Sequence, residues 1–174
     1  MKMGLEFEII PSDYEEVFET LDFSYEKIEE LAYNKALAVS SLFLLSSSLI
    51  LSADTVVVLA DKILGKPQDE KEAINMLKSL SGKKHSVVTS ICVIDSVSLQ
   101  KKILSETSYV VFEDLSEEMI KDYVEKFSPL DKAGSYGIQE LPEGFIKHIE
   151  GSFENIIGLC SEVVKKMLDE FTEV

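Results

Sequence analysis

Two long runs constrain the fold of this chain more than anything else in it. Residues 86–95 (SVVTSICVID) and 103–112 (ILSETSYVVF) are rich in β-branched and aromatic side chains and are predicted to be strands. Helical patterns surround them. Ser24 is placed to cap a helix from Tyr25 to about Leu44, with Ile28, Leu31, Ala32, Lys35 and Ala36 at helical spacing. Asp69 followed by Glu72 forms a capping-box pattern for a helix that Gly82 stops. Ser116 opens a third helix through Phe127, halted before Pro129, and a last amphipathic helix is expected over about residues 155–171. Shorter strands are expected at residues 5–10, 49–51, 56–59, 136–138 and 144–149. Strands and helices alternate with no repeat and no linker. The expectation is a single α/β domain over residues 1–174, a mixed twisted sheet flanked by helices.

Charge narrows the function. The 174 residues carry 32 acids against 17 bases, a net charge of −15, and every one of the 17 bases is a lysine. A nucleic-acid surface needs clustered Lys and Arg, so nucleic acid is not an expected partner. Without arginine there is also no bidentate clamp for phosphate, only point charges. Cys92 and Cys160 lie far apart without metal spacing and are expected to be buried, reduced thiols. The opening MKMGLEFEIIP has no apolar leader core, which favours a cytoplasmic setting. Residues 36–53 are uncharged but hold six serines and join two different periodicities. They are predicted to be a helix end, a polar turn and a buried strand rather than a membrane span.

Several positions have both a chemical and a plain reading. Asp54-Thr55, between two predicted strands, is either an Asx-type turn or a catalytic acid with its neighbour. Lys66, between Gly65 and Pro67, is either a solvated loop lysine or a phosphate contact; no P-loop pattern surrounds it. PLDKAGSYGIQ, residues 129–139, is either a tight loop or a segment whose Gln139 amide is suited to a ligand edge. The acids Asp13, Glu15 and Glu16 suit a solvated helix start, while Glu16 with Asp54 would make an oxygen-ligand pair for Mg²⁺ or Mn²⁺. His85 and His148 lack a third partner and are expected to be structural or exposed, not zinc ligands.

The ordered segments SADTVV, ILGKPQDEKEA, SLSGKKHSVVTS, VVFEDLSEE, YVEKFSPLDKAGSYGIQ and GSFENIIGLC together resemble the Maf family of nucleotide pyrophosphatases. The resemblance implies the α/β fold shared with inosine triphosphate pyrophosphatases. It also implies hydrolysis of a nucleoside triphosphate to the monophosphate and pyrophosphate with a divalent cation, Mg²⁺ or Mn²⁺. It puts the catalytic aspartate at Asp54, the substrate-choosing threonine at Thr55, and a metal-binding acid at Glu16, with Glu15 one step away. Lys35 in AYNKALAV and Lys66 in LGKP take the lysine positions, and Gln139 in YGIQ the base-reading one. DKAGSYGIQ resembles the branch acting on dTTP and UTP, and a homodimer is the candidate assembly. The family's opening SxSPRR segment has no counterpart after Met1, which implies either a late start codon or a shortened paralogue. A shortened paralogue carries the competing expectation of a non-catalytic nucleotide-binding or regulatory protein.

Overall fold

The computed structural model describes residues 4–14, 20–43 and 48–172. The first helix, α1 (Tyr25–Ser40), starts where Ser24 Oγ accepts the Lys27 amide, and it buries Ile28, Leu31, Ala32, Ala36 and Val39. Strand β1 (Leu49–Leu59) turns back through Ala60 and Asp61, both at positive φ (49° and 62°), into β2 (Lys62–Leu64). Left-handed residues at both turn positions match the twist of a two-residue hairpin. The capping box at Asp69 forms: its carboxylate accepts the Glu72 amide, and Glu72 in turn accepts the Gln68 amide, opening α2 (Glu70–Leu80). The long strands follow as β3 (Lys84–Asp95) and β4 (Lys101–Phe112), then α3 (Glu117–Phe127), capped by Ser116. After a 3₁₀ turn at Ala133–Ser135 come β5 (Ile146–Glu150), α4 (Phe153–Ile157) and α5 (Ser161–Thr172).

One five-stranded sheet in the order β2-β1-β3-β4-β5 organises these elements. α1 covers one face, packing Ile28 and Leu31 on Val56, Val58 and Val88. α2, α3 and the segment before β5 cover the other, where Leu77, Leu80, Ile120, Tyr123 and Phe145 pack on Val57, Val87 and Phe112. α5 extends that second layer over Ile91 and Val93. β3 is therefore buried on both faces, which accounts for a run from Ser86 to Ile94 without a charged side chain. Burying each such side chain stabilises the fold by roughly 1.5–3 kcal/mol, which makes this two-sided core its main support. Both cysteines are buried and unpaired, Cys92 in β3 and Cys160 between α4 and α5.

The α/β architecture follows the sequence, with corrections in detail. All four strand pairings among the described residues are antiparallel, where a mixed sheet was expected. β2 and β3 do run the same way across the α2 crossover, but β1 lies between them. The two strands predicted around Asp54 are one continuous strand. Residues 5–10 form no strand: Phe7 and Ile9 are 79% and 81% exposed, and alternation alone makes no strand without a neighbour to pair with. Tyr136 to Ile138 is not a strand either, because the Gly137 amide donates to the Tyr123 hydroxyl instead of to a ladder. The last predicted helix is split in two by Gly158, at φ 118°. Among the described residues no helix is long and apolar enough to cross a membrane.

Candidate functional site

Asp54 lies in mid-β1, opposite Ser90 of β3, and is only 6% exposed. A carboxylate in a sheet interior costs several kcal/mol unless a counter-charge compensates it. Lys35 Nζ supplies that charge by donating to Asp54 Oδ1. Lys35 sits in the stripe of α1 that otherwise presents Ile28, Leu31 and Val39 to the sheet, so a cation stands at a core-facing position. The Asx-turn reading of Asp54 is thereby corrected, since the residue lies inside a continuous strand and is paired within the sheet.

A cavity of about 390 Å³ opens beside β1, within the range of small-ligand sites. Asp54 and Thr55 line it from β1, Lys66 from the loop after β2, Lys132 and Gln139 from the 131–140 segment, and Ile157 from α4. Four of the residues expected at the site thus share one cavity. Lys35 does not line it but donates to Asp54, which does. Glu16 lies outside the described residues. Alternation along β1 turns the Asp54 carboxylate toward α1, whereas Thr55 and Val57 face the opposite layer. Since β2 pairs only with Val57–Leu59, the outer edge of β1 has no described partner beside Asp54. A second depression, of about 340 Å³, lies on the charged surface of α5 and holds none of these residues.

The loop carrying Gln139 is held rigidly. The Gly134 amide donates to the Gly65 carbonyl at 3.0 Å, joining it to the loop that bears Lys66. At φ 65°, with any Cβ only 2.9 Å from Val57, position 134 admits glycine alone without strain. The Tyr136 hydroxyl meets His85 Nε2 of β3 at 2.7 Å, and both rings stack edge-on against Phe112. Burial pulls His85 down from 6.5 to about 4, so the ring is neutral at physiological pH, and burial pushes the Tyr136 phenol up. His85 is structural, as expected, and His148 is exposed on β5 beside Glu150. Lys132 is held between Asp131 at 3.2 Å and Glu140 at 3.7 Å.

Thr55 is tied to the layer behind the cavity. Its Oγ1 lies 2.9 Å from Thr89 Oγ1, and Thr89 donates to the Asn155 carbonyl at 2.9 Å. Thr89, Asn155, His85 and Tyr136 were not singled out as a group because their partners are distant in sequence; the buried histidine was the one visible signal. Among the described residues, no three His, Cys, Asp or Glu side chains cluster as metal ligands.

The sequence signature described as Maf-like protein matches residues 1–171. The chain belongs to the Maf family. It is 44% identical over 173 residues to the dTTP/UTP pyrophosphatase of Ruminiclostridium cellulolyticum, covering 99% of this chain and 89% of that one. It is 39% identical to the protein of that name from Syntrophomonas wolfei, over 95% and 87% of the two chains. The Alkaliphilus oremlandii protein of the same name is 43% identical, over 90% and 81%. Asp54, Thr55, Lys66 and Gln139, the positions singled out by the motif resemblance, line one cavity of this Maf protein.

Proposed function

We propose that this chain is a nucleoside triphosphate pyrophosphatase acting on dTTP and UTP. The observation that carries the reading is the single cavity shared by Asp54, Thr55, Lys66 and Gln139 in a chain 44% identical to a dTTP/UTP pyrophosphatase. The base lies in the cavity against Thr55 and Gln139, and the phosphates pass Lys66 toward Asp54. Water attacks the α-phosphorus in line, the bond to the α–β bridging oxygen breaks, and pyrophosphate departs. Asp54 orients that water and accepts its proton. Lys35 holds the Asp54 carboxylate in place, and Lys66 offsets phosphate charge, which matters in a chain of −15.

The donor set suits a divalent cation of the Mg²⁺ or Mn²⁺ kind. Such ions take oxygen ligands, keep several waters and share one or two carboxylates with substrate phosphates, so a single buried carboxylate at Asp54 is enough on the protein side. Asp54, with Glu16 as the proposed second ligand, would hold it, and the ion would neutralise phosphate charge. A cytoplasmic setting is supported by the two free cysteines. We also propose a homodimer, for which light scattering should return twice the mass of one chain. The test of function is pyrophosphate release from UTP, dTTP, CTP and GTP with Mg²⁺ or Mn²⁺. Faster release from GTP than from either pyrimidine named above would remove the substrate assignment.

A further inference from the structure

The hydroxyl of Thr55 has a direction, and proton counting reveals it. A threonine hydroxyl carries one hydrogen and two lone pairs. The Asn155 carbonyl has no hydrogen, so its 2.9 Å contact with Thr89 Oγ1 is a bond only if Thr89 donates. That uses the one proton Thr89 has. In the 2.9 Å contact between the two threonines, Thr55 must therefore be the donor. The sequence Thr55 to Thr89 to Asn155 C=O is a one-way relay, and toward the cavity Thr55 has only lone pairs left.

The far end of the relay is fixed. Asn155 is fully buried, and its side-chain amide donates to the Val87 carbonyl at 3.1 Å and to Ser108 Oγ at 3.0 Å. Thr89 is also fully buried and has no room to turn toward solvent. Reversing the relay would place two acceptors face to face at Asn155, in a site where an unmade bond costs its full desolvation.

We infer that Thr89 is a positioning residue for base choice: it holds the Thr55 hydroxyl as an acceptor, so the cavity wall accepts from a base that offers an N–H. This rests on reading the cavity as a pyrimidine triphosphate site. Uracil and thymine carry a hydrogen on N3, whereas cytosine has a lone pair there. An acceptor-only Thr55 meets the first pair with a hydrogen bond and the second with repulsion between lone pairs. Without Thr89 Oγ1, the Thr55 hydrogen is released to point into the cavity, and the wall accepts either base.

The experiment compares kcat/KM for UTP and CTP in the wild-type protein, Thr89→Val and Thr89→Ser, with each fold checked by thermal melting. Valine keeps the shape of threonine and removes the hydroxyl, while serine keeps the relay. The UTP:CTP ratio should fall about tenfold or more in T89V, through a gain on CTP as well as a loss on UTP, and should be retained in T89S. If T89V does not fold, Thr89→Ala removes the same hydroxyl without bulk and is expected to give the same fall. A folded T89V or T89A that loses activity on both nucleotides alike, with the ratio unchanged, would make Thr89 a packing residue and overturn the inference. A fall in T89S as large as in T89V would do the same. A wild-type protein without preference for UTP over CTP overturns the assignment of uracil and thymine as the bases chosen, and the inference with it.

Discussion

Asp54 and Thr55 are neighbours in β1, yet they belong to two different kinds of polar surroundings. Asp54 is a buried charge compensated by another charge, Lys35, from a helix on one face. Thr55 is neutral, compensated by a fixed chain of hydroxyl, hydroxyl and carbonyl on the other. A charged pair concentrates field where it is built and is costly to unbalance. A neutral relay has little field but fixes which partner donates. The first arrangement suits acceleration of a reaction, and the second suits selection among similar ligands.

The charged side should give the largest effect when broken. Asp54→Asn keeps the shape and removes the charge that orients water, and should lower turnover at least ~10²-fold while circular dichroism stays unchanged. Near-normal turnover in a folded D54N protein would leave the carboxylate a purely structural role.

On the neutral side, His85 sharpens the contrast, because it is an ionisable group kept uncharged. Unfolded, it takes a proton below 6.5; folded, not until about 4. Between those values the unfolded chain binds more protons, so this contribution is present in full above pH 6.5 and is lost as pH falls toward 4. The shift corresponds to about 3 kcal/mol. Urea unfolding at pH 7 and pH 4.5 should show a smaller acid loss in His85→Gln than in the wild type. Equal losses in the two proteins would mean that His85 titrates alike in both states.

Gly134→Ala should destabilise by about 1–3 kcal/mol, through positive φ and contact with Val57, and should weaken nucleotide binding through displacement of Gln139. An unchanged melting temperature would show that the loop shifts freely. The smallest effect is expected at Lys66→Ala, a point charge on the cavity side: about a tenfold loss of kcat/KM for UTP, carried mainly by KM. A loss as large as that of D54N would erase the division between the two sides.

Local signals were the legible ones. The caps at Ser24, Asp69 and Ser116 each act within three residues, and all three form where the sequence places them. The candidate site residues came from motif resemblance, which named Asp54, Thr55, Lys66 and Gln139 without their geometry. What bound them was not legible. Asp54 left a turn and a catalytic acid equally open because its compensating lysine lies 19 residues earlier, on another element. His85 and Tyr136 are 51 residues apart, and Thr89 and Asn155 are 66 apart. A bond across such distances leaves no periodicity behind. Residues 5–10 show the converse: a strand pattern read correctly as alternation, with no described strand beside it to complete a ladder.

The two thiols amount to a pair of built-in clocks. Cys92 sits in the strand that is covered on both faces, and burial pushes its thiol up to about 11, so an alkylating reagent reaches a reactive thiolate there only when the whole sheet parts. Cys160 lies at the joint between two short helices, where far less structure must open to expose it. Alkylation followed over time would then separate into a fast phase from the joint and a slow phase from the centre. The interval between the phases would measure how independently the rim of the molecule breathes from its middle.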